Sequence, residues 1–164
     1  MNSTSALAWH YTTEDRVEPI MQSGAIEPAI SGVPAHERPI VWFSRNAVWE
    51  PTANKGLVDI ESGIQRTATL KEMKSMFGLF RFGARSDDLL RWPDLVRAAG
   101  IRTATARRLE RVGRLCGALP SDWQGQVGRV TLDRIVTMER MVDGKWQPAE
   151  GAISIAPLRS EVSV

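Results

Sequence analysis

A chain of 164 residues, 43% apolar and 24% charged, is long enough to bury a core without a metal or disulfide staple and has the composition of a globular domain. Its one cysteine, Cys116, excludes an internal disulfide and a cysteine-rich zinc site; no apolar run nears the roughly 18 residues of a membrane span, and the opening MNSTSALAW lacks the pattern of an export signal. The expectation is one domain, residues 1–164, in a reducing cytoplasm, with no membrane partner. The net charge is only +2, yet 17 of the 21 basic residues are arginine, and nine of these fall between Arg81 and Arg114 against four acids.

In chain order, residues 6–11 read as a strand that ends in Trp9, His10 and Tyr11. Thr12-x-x-Asp15 is a capping box, so a helix is predicted over 12–24, with Val17, Ile20 and Met21 as its buried stripe and Gly24 as its left-handed stop. Pro19 sits awkwardly in its second turn. Residues 25–39 are rich in Pro, Gly, Ser and Ala, the composition of a surface loop. PIVWFS, 39–44, is a compact run of β-branched and aromatic residues that predicts a strand buried on both faces. Ser44 or Asn46 caps a predicted short helix over 46–54, which carries Trp49 and Glu50 and is limited by Pro51.

Residues 56–78 are weakly patterned, with a short helix predicted over 69–76 and a strand over 78–84. Ser86, Asp87 and Asp88 open a further helix that restarts at Pro93 and stops at Gly100. Thr103 or Thr105 caps a longer helix to Cys116, with Leu109, Val112 and Cys116 on its apolar face and Arg107, Arg108, Arg111 and Arg114 largely on the other. The rest reads as a β-meander over 127–132, 135–141 and 146–155, turned at Asp143-Gly144, with a frayed tail over 157–164.

Several chemistries are absent from the text. There is no G-x-S-x-G, P-loop, G-x-G-x-x-G or H-E-x-x-H, and with two histidines in the chain no metal site is expected. His10, at the end of a strand and before a helix, is placed to face a cleft, where it could donate to a sugar hydroxyl or a phosphate. Tyr11, Trp42 or Trp49 could stack on a ring. The plainer reading makes His10 a half-buried residue bonded to backbone and the tryptophans core.

The order His10-Tyr11-Thr12, a helix closing on Gly24 and Ile26, a loop, and Trp42-Phe43-Ser44 leading into a short helix resembles the ADP-ribosyltransferase-like superfamily. That superfamily includes the transferases of the diphtheria-toxin and poly(ADP-ribose) polymerase type and the RNA 2′-phosphotransferases. The resemblance covers residues 8 to about 54. It implies an α+β domain with a split sheet, here with an Arg-rich helical pair inserted over 85–120, that binds NAD or a related nucleotide and transfers or cleaves ADP-ribose. His10 takes the place of the ribose-binding His, and Trp42 that of the Tyr stacked on nicotinamide. Tyr11, Thr12, Ser44 and Trp49 complete the cofactor-binding set. Tyr11 stands where relatives have Gly, which makes the backbone beside the carboxamide bulkier. The resemblance also implies a late carboxylate; Glu139 is the leading candidate, Glu50 the second and Glu150 the third. Such a carboxylate offsets the positive charge that builds on the ribose as the nicotinamide bond breaks.

Two alternatives remain. A phosphotransferase would use Arg81, Arg85 and the 107–114 face on phosphate groups. A non-catalytic protein of the same fold would use Arg81, Arg107, Arg108 and Arg111 on a nucleic acid or another anionic partner, although a run such as RRLERVGR offers phosphate-type contacts and little base-reading chemistry. A plain solvated face is the commoner reading of such an arginine run.

Overall fold

The structure, a computed structural model, describes residues 6–149. In the first strand, β1 (Leu7–Thr13), Ala8, Trp9 and Thr13 are buried while His10 to Thr12 stay half-exposed. The following helix α1 (Glu14–Ser23) starts one residue later than the predicted box. Thr12 stays in the strand, Thr13 is the extended N-cap, and its hydroxyl donates to Asp15 instead of capping an N–H. Pro19 fits inside α1, and Gly24, with φ 70°, ends it as expected.

The loop predicted over 25–39 holds a two-residue strand, β2 (Ala25–Ile26), and leads into β3 (Ile40–Ser44). Only Trp42 departs from the predicted burial of β3 on both faces; it is 40% exposed. The helix predicted over 46–54 does not form. Asn46 Oδ1 instead accepts from the amides of Val48 and Trp49, closing a side-chain turn, and a single 3-10 turn, Pro51–Ala53, follows. A small hairpin of β4 (Gly56–Val58) and β5 (Gln65–Thr67) precedes α2 (Leu70–Met76). That helix begins with a full capping box: the Thr69 hydroxyl accepts from the Glu72 amide, and the Glu72 carboxylate accepts from the Thr69 amide.

After β6 (Leu79–Arg85) a 3-10 turn, Ser86–Asp88, stands where a helix was predicted, and a two-residue strand, β7 (Leu90–Arg91), separates it from α3 (Trp92–Ala99). Gly100, at φ 71°, ends α3, and α4 (Thr103–Leu115) follows. The last elements are β8 (Trp123–Val127), β9 (Val130–Thr131), β10 (Ile135–Val142) and β11 (Lys145–Pro148). Asp143 and Gly144 both take positive φ and turn β10 into β11. The predicted tail over 157–164 and Glu150 lie outside the described residues.

These elements make one α+β domain with an antiparallel sheet in the order β11-β10-β6-β1-β3-β8-β7. The C-terminal strands therefore form no simple meander: β8 crosses to pair with β3, while β10 pairs with β6. The helical pair sits between β7 and β8, which are neighbours in the sheet, so its two helices enter and leave at one edge. The sheet is also unevenly zipped. β1 pairs with β6 from Leu7↔Arg85 to Thr13↔Leu79, and β3 pairs with β8 from Ile40↔Val127 to Ser44↔Trp123. Between β1 and β3 the register holds one pair, Trp9↔Ser44. Beyond it the two strands diverge.

One face of the sheet carries the main core, in which Ala8, Val41, Phe43, Phe82, Ala84 and Met138 meet Ile20 of α1. The opposite face is covered in two pieces. Over β3 and β8 lie α3 and α4, with Ile40, Trp92, Leu95, Ala106 and Trp123 packed together. Over β1 and β6 lies the 49–77 segment, packed through Trp49, Ala68, Met73 and Leu79. Among the described residues no helix is long and apolar enough to cross a membrane.

Candidate functional site

Strand register decides which side chains meet at the divergence. Trp9 and Tyr11 of β1 share a face with Trp42 and Ser44 of β3, whereas His10 and Thr12 lie on the core side with Val41 and Phe43. Because the upper face is covered in two pieces, a gap of about 440 Å³ remains between them. Its floor is Trp9, Tyr11, Trp42 and Ser44; Glu50 and Thr52 form one wall, and Leu109, Val112 and Gly113 of α4 form the other. A second cavity, about 600 Å³, opens where β1 and β3 part, bounded by Thr12, Thr13, Val41, Trp49 and the cations Arg16 and Lys55. His10, Tyr11, Trp42 and Ala53 border both, so the two form one bent cleft through the split. Each volume lies in the range of small-molecule sites, roughly 300–1,000 Å³.

His10 bridges the split. Its Nδ1 lies 2.8 Å from the Trp42 carbonyl oxygen, and since a carbonyl only accepts, Nδ1 carries the hydrogen and donates. Burial lowers the His10 pKa, and the bond to Trp42, which raises it, does not outweigh that. The neutral ring therefore leaves Nε2 as an acceptor. The plainer sequence reading, a half-buried His bonded to backbone, is part of the observed arrangement: the same bond aims the ring into the cleft.

Tyr11 borders both cavities, and it also acts as a strut. Its hydroxyl donates to the Asn46 carbonyl, and its ring packs 4.9 Å from Trp49 and 5.7 Å from Trp146. Burial pushes its pKa up to about 12 against the lowering effect of Arg81, so it is no base near neutral pH. Two further side chains hold the same loop. Arg81 donates to the Ala47 carbonyl, and Trp146 Nε1 donates to the Val48 carbonyl at 2.9 Å. Three consecutive carbonyls are thereby pinned to the sheet, which fixes the two residues that follow, Trp49 and Glu50. Trp49 is buried, with Nε1 donating to Asn54 at 2.8 Å and its ring stacked on Trp146.

The carboxylates separate clearly. Glu139 stands on β10 opposite Arg81 and accepts from its Nε at 2.7 Å; it lines neither cavity. Glu50 is the carboxylate of the smaller cavity; Glu27 borders the larger one, where it is paired with Arg129. Though only 7% exposed, Glu50 lines its cavity and accepts from Ser44 Oγ at 2.7 Å, Thr52 Oγ1 at 2.7 Å, the Thr52 amide at 3.3 Å and Trp123 Nε1 at 3.4 Å. The local sequence signal was Glu50-Pro51-Thr52, in which Glu50 is the N-cap of the 3-10 turn. Its place in the cleft depends on Trp123, far along the chain.

Arg81 is likewise committed. It lies on an inner strand, 7% exposed, with its guanidinium 3.6 Å from the Trp9 ring centre and 4.5 Å from that of Trp146. It is thus not available to a phosphate, contrary to the sequence expectation. Arg107, Arg108 and Arg111 are exposed on α4 and line neither cavity. Among the described residues, no cluster of three or more His, Cys, Asp or Glu is placed to hold a metal ion. No known protein-family model matches the chain, and neither a curated protein nor a solved structure does.

Proposed function

We propose that the cleft binds NAD or a related nucleotide and that the protein transfers or cleaves ADP-ribose, as its resemblance to the ADP-ribosyltransferase-like superfamily implies. The observation that carries this reading is the opening of the sheet between β1 and β3, with His10 on one lip, Trp42 on the other, and a buried carboxylate, Glu50, beside them. Trp42 presents the exposed ring that a flat nicotinamide would stack on. The Nε2 acceptor of His10 suits a ribose hydroxyl. Arg16 and Lys55, in the larger cavity, are the cations nearest at hand for a pyrophosphate, each with Asp15 within 4 Å.

In this reading Glu50 takes the role that the sequence assigned first to Glu139. As the bond from nicotinamide to ribose breaks, positive charge grows on the sugar, and a carboxylate held by four donors in an aromatic cleft can offset it without reorganising. The loop struts position Glu50, and α4 forms the facing wall. The phosphotransferase alternative loses support because Arg81 is spent on Glu139 and the Ala47 carbonyl.

Calorimetry with NAD, together with chromatography for released nicotinamide, tests the proposal. NAD should bind the natural chain, His10→Ala should weaken binding about tenfold or more, and Glu50→Gln should keep binding while losing about 100-fold or more in turnover, the usual scale for one stabilising group. Unchanged NAD affinity in His10→Ala would remove the site, and unchanged turnover in Glu50→Gln would remove its carboxylate.

A further inference from the structure

The longest helix among the described residues, α4, is turned the wrong way for its sequence. Leu109, Val112 and Cys116 repeat as a core stripe should, yet α4 packs through its small residues instead: Ala106 and Gly113 are buried, and Gly113 lies directly against the Trp123 ring. Leu109 is left 36% exposed, Val112 52% and Leu115 82%. Leu119, just past the helix, is 60% exposed. Thr105, Leu109, Val112 and Cys116 follow the four-three spacing of a coiled-coil seam along α4 and its C-cap, and the last three are exposed. One flank of that seam is basic. Both acids of the helical pair are already engaged, Asp94 by Arg97 and Glu110 by Arg114 and Trp92. Arg107, Arg108 and Arg111 keep no carboxylate partner among the described residues.

We infer that α4 is a docking ridge for an acidic amphipathic helix of a partner protein, seated on Leu109, Val112 and Leu115 with its carboxylates on Arg108 and Arg111. Charge decides among the occupants. A second copy of this chain would bring the same unpaired arginines against these. A nucleic acid would satisfy the arginines but leave a leucine and valine seam in water, and α4 offers neither an aromatic ring to stack on nor an Asn or Gln to read a base. An acidic helix with apolar residues on one face covers both features at once. Because Leu109 and Val112 also wall the smaller cavity, the docked helix would lie along the open side of the cleft. This inference stands whatever the cleft binds.

The exposed Cys116, the only cysteine, lies at the end of the seam and offers a place for an environment-sensitive dye. The labelled full chain is titrated with a synthetic peptide of about three heptads carrying Leu at the seam positions and Glu beside them, with a scrambled peptide of the same composition, and with an oligouridylate. The ordered peptide should bind about tenfold tighter than the scrambled one. Arg108→Glu with Arg111→Glu should weaken it about tenfold and transfer preference to a peptide with Lys in place of Glu, and Val112→Ser should weaken it with circular dichroism unchanged. Equal binding of the ordered and scrambled peptides, tighter binding of the oligouridylate, or no peptide binding would each overturn the inference.

Discussion

β1 has two edges, and the protein treats them oppositely. Toward β6 the pairing runs the length of the strand, from Leu7↔Arg85 to Thr13↔Leu79, and Phe82, opposite His10, has no exposed surface. Toward β3 the register holds one pair, and a side-chain bond from His10 to the Trp42 carbonyl stands where the ladder would continue. Across the zipped edge, Leu79, Phe82 and Ala84 of β6 are buried and Arg81 is paired with Glu139. The open edge is built from rings and polar groups that keep surface for something else. Under the proposed function, stability and binding fall on opposite sides of one strand.

Substitutions on the two edges should therefore separate folding from binding. Phe82→Ala should cost about 3–5 kcal/mol in urea unfolding, the usual loss for a large ring deleted from a core. Trp42→Ala, at an already exposed position facing Trp92 at 5.8 Å, should cost about 1 kcal/mol and, under the proposed function, abolish nucleotide binding instead. Equal losses of stability at the two sites would mean that the open edge is part of the core and no site at all.

The strut of the zipped edge gives the next largest effect. Arg81→Met leaves the Glu139 carboxylate, only 19% exposed, without its partner and frees the Ala47 carbonyl. About 3 kcal/mol should be lost, and adding Glu139→Gln should return a large part of it, because the cost is mostly that of an unpaired charge. The Glu50 loop should also loosen, read as faster amide exchange at 46–50 in Arg81→Met. No recovery in the double variant would mean that Arg81 acts through the rings of Trp9 and Trp146 instead.

The legible parts were those governed by neighbours in sequence. Gly24 and Gly100 as helix stops, the Asp143-Gly144 turn, the β3 run and the α2 helix all rest on local backbone preference. What periodicity could not report was which way a stripe faces: Leu109 and Val112 obey the same spacing whether they meet a core or wall a cleft. Nor could propensity show that Asn46 would close a side-chain turn and cancel the 46–54 helix. Of the residues expected at a site, His10, Trp42 and Ser44 border the opening between β1 and β3. Strand context ranked Glu139, whose partner Arg81 sits 58 positions earlier, above Glu50, which Trp123 helps to hold from 73 positions later. Long-range pairing of this kind leaves no local signature.

The smallest effect is the most specific to the open edge. His10 has a lowered pKa because burial opposes its charged form. In the unfolded chain the same imidazole titrates at its ordinary value, about 6.5. Between the folded value and that one, the unfolded state binds a proton the folded state refuses, so stability must fall as pH drops below about 6.5 and level off once the folded group also protonates. His10→Asn cannot titrate and should lose that slope, while its amide can still donate to the Trp42 carbonyl. Subtracting its urea-midpoint profile from that of the natural chain removes every titration common to both. A difference curve flat from pH 7.5 to 5 would show that His10 is hydrated like any surface imidazole, and that the lips of the cleft are wet instead of closed over it. A downward step on acidification would place the dry part of the site at the bond that replaces the missing ladder.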